Sequence, residues 1–191
     1  MKRPLYLLLA LLFVFGCNEP LVIDPDTGFE IYTIDEGAHS SIVRSELFEG
    51  TGALITVRFD ESAQYSTQLA SNQADINKLS GFSHCAQHHR SESARFGWRW
   101  FNDELQILAY VYNEGELSFE LMGAVPLNED VELTILVQGD QYHFSGDGLQ
   151  TVSIPRTGTC EEGENYWLWP YFGGDETAPH SMRIQLKRET L

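Results

Sequence analysis

The chain has 191 residues and carries 28 acidic against 12 basic side chains, a formal net charge of −16 at pH 7. That length suits a single domain with a proper core. A surface this acidic argues against nucleic acid as a partner, because phosphate binding needs local positive charge, and it disfavours an electrostatic hold on anionic lipid headgroups.

The chain begins with Lys2 and Arg3, followed by an apolar run of Leu, Ala, Phe and Val that ends at Gly16-Cys17. A basic start and an apolar stretch too short to span a bilayer read as a secretory signal. The Gly16-Cys17 junction, with polar Asn18 and Glu19 behind it, resembles the lipobox of bacterial lipoproteins. That resemblance implies that residues 1–16 are removed as a signal peptide and that Cys17 becomes an acylated (palmitate-bearing) first residue. The protein is then expected in the bacterial cell envelope, anchored by lipid to the outer membrane and facing the periplasm or the exterior. Its membrane partner is met through the anchor on Cys17, and the domain itself is expected as a monomer.

Residues 17–28 read as the lipidated cysteine and a tether, rich in Pro, Asp and Thr and without periodicity. Asp24-Pro25-Asp26-Thr27-Gly28 has the opening of a calcium loop but lacks the remaining carboxylates and the distal Glu. From residue 29 to 191, period-two alternation broken by Gly, Asn, Asp and Pro predicts an all-β domain, a single antiparallel β-sandwich of jelly-roll, concanavalin-like type. The expected strands cover residues 30–34, 42–48, 53–59, 94–101, 105–112, 117–125, 131–138, 141–145, 150–154, 166–171 and 182–187. A short helix is expected around residues 73–79. There is no internal repeat.

Once Cys17 carries lipid, Cys85 and Cys160 remain, and in an oxidising compartment an even pair commonly forms a disulfide. Closing so long a loop would contribute about 3 to 5 kcal/mol through the unfolded chain. A metal site drawn from Cys85 with His84, His88 and His89 lacks a second cysteine pair, so no metal is expected. Nor is a cofactor, since the chain has neither a P-loop nor a dinucleotide fingerprint.

The middle of the chain sets a register. A two-residue turn at Asn102-Asp103 pairs Trp100 with Leu105, Trp98 with Ile107, Phe96 with Ala109 and Ala94 with Val111, and every pair on that face is apolar. Read as a three-residue turn, Asn113-Glu114-Gly115 pairs Val111 with Leu117, Ala109 with Phe119 and Ile107 with Leu121. The opposite face then carries Arg95, Arg99, Gln106, Tyr110 and Tyr112. Rings that stack on the C–H face of a sugar, next to guanidinium and amide groups that bond hydroxyls or carboxylates, suit a carbohydrate ligand, although an ordinary sheet exterior uses the same residue types.

Two loops add candidates for chemistry. One is His84-Cys85-Ala86-Gln87-His88-His89-Arg90, and the other runs from Tyr171 to His180. The Cys85–Cys160 link would draw His88 or His89 toward His180 at one end of the sandwich. Histidine beside Tyr and Arg is the set a polysaccharide lyase uses: a base for the C5 proton, an acid for the leaving oxygen and a cation on the uronate carboxylate. His88, His89, His180 and Tyr110 are therefore candidate catalytic residues.

The blocks Asp75-Ile76-Asn77-Lys78-Leu79, Ser93-Ala94-Arg95-Phe96-Gly97-Trp98-Arg99-Trp100 and Tyr171-Phe172-Gly173-Gly174-Asp175 through His180 resemble those of secreted proteins and lipoproteins of Bacteroidota-type bacteria. These are jelly rolls distantly similar to alginate-lyase-type polysaccharide lyases. Arg44-Ser45-Glu46-Leu47 is similar to the Arg-x-Glu-Leu strand of those lyases, and Tyr171-Phe172 to the start of their Tyr-Phe-Lys-Ala-Gly strand. The chain departs from the pattern at Gly173, which stands at the Lys position, and at Leu108, which follows Gln106-Ile107 where a histidine is expected. The expectation is thus a carbohydrate-binding lipoprotein that does not cleave its ligand. A small lyase on a uronate polymer and a structural lipoprotein stand as the alternatives.

Overall fold

A computed structural model describes residues 21–41, 46–156, 160 and 163–191. The expected signal peptide, the lipidated Cys17 and Arg44 lie outside the described residues. The architecture is two antiparallel sheets built from thirteen strands: β1 (Val22–Ile23), β2 (Glu30–Ile34), β3 (Leu47–Phe48), β4 (Gly52–Phe59), β5 (Asn77–Ser83), β6 (Ser93–Phe101), β7 (Glu104–Asn113), β8 (Glu116–Val125), β9 (Val131–Gln138), β10 (Gln141–Gly146), β11 (Val152–Pro155), β12 (Asn165–Leu168) and β13 (Met182–Thr190). One sheet runs β1-β2-β13-β4-β9-β10-β11 and the other β3-β12-β5-β6-β7-β8. The jelly-roll sandwich expected from the alternation is the observed fold. β1 lies within the segment read as tether and pairs with β2.

The core forms where the inner faces of the two sheets meet. Ile55, Val57 and Phe59 of β4, Ile135 of β9 and Phe144 of β10 are fully enclosed, as are Ala94, Phe96 and Trp98 of β6 and Ile107, Ala109 and Val111 of β7. Aromatic rings bridge the sheets: Phe96 meets Phe144 edge-on at 5.4 Å and Phe59 meets Trp98 at 5.1 Å. Such pairs add to the burial of large apolar area.

The β6–β7 hairpin has the register its turn chemistry dictates. Asn102 and Asp103 both have positive φ, 55° and 60°, the conformation of a two-residue type I′ turn. Trp98 accordingly pairs with Ile107, Arg95 with Tyr110 and Arg99 with Gln106.

The next hairpin differs from the expectation. Asn113 pairs with Glu116, so the turn is the two-residue Glu114-Gly115, with φ of 52° and 82°, and Tyr112 faces Leu117, Tyr110 faces Phe119 and Leu108 faces Leu121. A one-residue slip moves every side chain to the other face. Leu117, Phe119 and Leu121 are consequently outside and exposed rather than in the core. A bulge between Ile107 and Leu108 then returns the strand to the inward pattern, with Met122 and Val125 buried.

The short helix expected around residues 73–79 is replaced by a 3₁₀ turn, Ala70–Ala74, leading into β5. The strand was disguised by its burial on both faces: Leu79 and Phe82 point into the core while Ser80 donates to Leu168 O. The strand expected at 166–171 ends at Leu168, and Tyr171 forms isolated bridges with Ser40 and Lys78.

Candidate functional site

On the outer face of the six-stranded sheet lies a cleft of about 280 Å³. Its floor is Lys78 of β5, Arg95 of β6 and Tyr110 and Tyr112 of β7, and its walls come from His89 and Arg90 on one loop, Leu168 at the end of β12, and Ser40, Trp169 and Tyr171 on other loops. The β6–β7 register places Arg95 across from Tyr110, with the guanidinium 5.5 Å from that ring. Glycine sits opposite each cation, Gly81 across from Arg95 and Gly97 across from Lys78, and a Cβ would collide with the Arg95 backbone at Gly81 and with the Ile76 side chain at Gly97.

Arg95 is only 7 % exposed, its Nε has no hydrogen-bond partner, and no ion pair among the described residues includes it. Burial pulls its pKa down to about 10. Lys78 extends between Tyr110 and Tyr171, with Nζ 5.4 and 5.9 Å from the two rings, and donates to Ile76 O at 2.9 Å. Burial, reinforced by repulsion from Arg95, lowers its pKa to about 8. Gly173 makes space for this arrangement, since a Cβ there would meet both Ile76 O and Lys78 Nζ closer than van der Waals contact. A buried cation without a counter-charge costs free energy, and Arg95 is such a cation, with the part-buried Lys78 beside it, so the cleft is a candidate site for an anion.

His89 lies at the rim. Its backbone N–H donates to the Tyr166 hydroxyl at 3.0 Å and its Nδ1 lies 3.1 Å from the same oxygen. Burial, with Arg95, His88 and Arg90 nearby, pushes its pKa down to about 4, so the imidazole is neutral at pH 7. Tyr110, raised above the usual phenol range first by burial and then by Tyr112, keeps its proton. The cleft thus holds a neutral imidazole, the protonated phenol of Tyr110 and the cationic side chains Lys78, Arg90 and Arg95.

Of the residues expected from sequence, Arg95, Tyr110, Tyr112 and His89 come together here. Arg99 and Gln106 do not line the cleft: Arg99 Nε donates to Gln106 Oε1 at 2.8 Å and its Nη1 to Ala74 O at 2.8 Å, so each satisfies the other. His88 is exposed and packs on His89 with centroids 4.1 Å apart. The Cys85–Cys160 disulfide is present, but it does not bring His180 to the histidine loop. His180 Nε2 is engaged by Ser62 O at 2.9 Å, beyond the far end of β4. Arg156 Nη1 lies 2.9 Å from Cys160 Sγ, and His84 Nδ1 lies 2.8 Å from the Tyr142 hydroxyl. His84, Cys85 and Cys160 come close together, but both sulfurs are spent in the disulfide and cannot act as thiolate ligands. Lys78, Trp169 and Ser40 were not expected; the signal for Lys78 was its place in the Asp75–Leu79 block, hidden by reading that block as a helix.

No family model matches the chain, and no curated protein matches its sequence. Its fold, however, is a jelly-roll sandwich similar to that of solved alginate lyases. An alginate lyase from Klebsiella pneumoniae superposes with a TM-score of 0.62 at 11 % identity, over 87 % of this chain and 82 % of the other. Alginate lyase AlyC3 gives 0.59 at 11 % identity, over 88 % of this chain and 77 % of the other. A GH16 from a Bacteroides ovatus mixed linkage glucan PUL, solved with its product, gives 0.58 at 10 % identity over 88 % and 84 %. At such identities the likeness is one of fold.

Proposed function

We propose that this chain is a lipid-anchored protein of the bacterial cell envelope whose outer sheet face binds an acidic polysaccharide without cleaving it. The observation that carries the reading is Arg95: an enclosed guanidinium without a carboxylate, beside Lys78, in a chain with a net charge of −16. A uronate carboxylate would supply the missing charge through charge-assisted hydrogen bonds. Tyr112, Trp169 and Tyr171 supply ring surface for the sugar's C–H face. The acyl chains on Cys17 would hold the domain at the membrane, as the Gly16-Cys17 junction suggests. Solved jelly rolls of similar fold include AlyC3 in complex with dimannuronate, which supports a sugar on this architecture.

A second reading, a lyase, is favoured by His89. As a neutral imidazole beside the cations, it has the protonation state needed to take the C5 proton of a uronate, with Tyr110 or Tyr112 returning a proton to the departing O4 as the C4–C5 double bond forms. Binding without cleavage is preferred because Leu108 and Gly173 replace the histidine and lysine of the lyase-like motifs and the cleft is small beside the roughly 300–1,000 Å³ typical of ligand sites.

One experiment separates the two. The soluble domain is incubated with a panel of acidic and neutral polysaccharides, with binding followed by affinity electrophoresis and cleavage by ultraviolet absorbance of the unsaturated product. Retention by acidic polymers with flat absorbance is expected. Absorbance that rises with time and disappears in His89→Ala would replace the binder with the lyase, and no retention on any polymer would remove both.

A further inference from the structure

We infer that the apolar stripe on β8 extends the cleft, so that the ligand is recognised as a polymer whose far end lies on Phe119. The inference rests on the carbohydrate reading of the cleft. Leu117, Phe119 and Leu121 are 41, 54 and 44 % exposed, three large apolar side chains in succession on one face of an edge strand. Such a row on an edge strand invites association and is normally avoided in a soluble domain.

Its position is fixed by the two-residue turn at Glu114-Gly115. Phe119 stands beside Tyr110 and Leu117 beside Tyr112, cross-strand neighbours whose Cβ atoms lie within about 5 Å in such pairs. The ring surface of β7 therefore continues onto β8. A second groove, of about 270 Å³, lies there and shares Lys78 and Tyr110 with the main cleft. Phe119, Leu117 and Ile76 give it an apolar lining, and Asp75 is its acid.

These two grooves differ in charge. Both share Lys78, but the main cleft adds Arg95, which would take a carboxylate, whereas the second adds Asp75, which offsets the Lys78 charge and accepts from hydroxyls. A chain crossing Lys78 and Tyr110 would set a carboxylate on Arg95 and a C–H face on Phe119, with its hydroxyls toward Asp75. A second copy of this protein is a poorer occupant, because two chains of charge −16 repel.

The test is calorimetric titration of oligouronates of increasing length, from the disaccharide upward, into wild type, Phe119→Ala, Phe119→Trp and Arg95→Met, with sedimentation velocity on the same samples. Wild-type affinity is expected to climb with length. Phe119→Ala should lower affinity for the longest ligand by about two- to ten-fold while leaving the disaccharide unchanged, and Phe119→Trp should restore it. Binding that depends on Arg95 but not on length or Phe119 overturns this inference alone. Absence of wild-type binding at every length overturns the cleft reading with it. A wild-type dimer that Phe119→Ala converts to monomer, with sugar affinity unchanged, assigns the stripe to self-association instead.

Discussion

Along β6 the side chains alternate between two environments a few ångströms apart. Inward, Ala94, Phe96 and Trp98 are sealed against the opposing sheet. Outward, Arg95 is nearly as deeply enclosed, yet its Nε meets no acceptor, while Arg99 four residues on is satisfied by Gln106 and Ala74 O. Equal burial therefore conceals unequal roles. On the inner face the group left without an acceptor is the neutral Trp98 Nε1, whereas on the outer face it belongs to the charged Arg95, which we propose a ligand completes.

The widest gap between the faces is in stability. Trp98→Ala should cost about 3 to 5 kcal/mol, as a large truncation in a sealed core, while Phe119→Ala on the outer face should stay within about 0.5 kcal/mol. Urea unfolding of both variants checks this. Equal losses would mean that β8 presents Phe119 to the core, and the comparison of faces would collapse.

The inner face was legible in the sequence because turn chemistry and apolar alternation at Asn102-Asp103 agree. They agreed less well at Asn113-Glu114-Gly115. There glycine fits either a two- or a three-residue turn, and sending Leu117, Phe119 and Leu121 inward satisfied the pattern. The chain instead exposes them and regains the core pattern through the bulge at Leu108, which a single sequence does not announce. Arg95, Tyr110 and Tyr112 were legible as a shared face. Lys78 was not, because β5 is buried on both sides and loses its alternation. The distance of His180 from the histidine loop depends on long-range packing against Ser62, which local pattern does not encode.

A smaller effect sharpens the contrast through pH. Lys78 must be protonated to attract a carboxylate, and its pKa in the free protein is lowered to about 8, first by burial and then by Arg95. As pH rises through about 8 the ammonium is lost, so affinity for an acidic glycan should fall between pH 7 and pH 9, while Tyr110 stays protonated over that window. The neighbours that set the field are Asp75, Arg90 and Arg95. In Lys78→Gln the dependence should flatten, with weaker binding already at pH 7. Titrations at several pH values measure it, and an unchanged slope in Lys78→Gln would remove Lys78 from the site.

The most direct measurement pairs binding with stability in Arg95→Met. Replacing an enclosed cation whose Nε has no acceptor by a flexible apolar side chain of similar length removes a desolvation cost and breaks no ion pair among the described residues. Calorimetric titration with an acidic polysaccharide and thermal unfolding of the same samples should therefore show affinity reduced at least about ten-fold, the scale of a lost charge-assisted contact, with a melting temperature equal to or above wild type. Unchanged affinity, or a melting temperature that falls as far as it does in a core variant, would mean that Arg95 serves the fold and that the outer face carries no anion site.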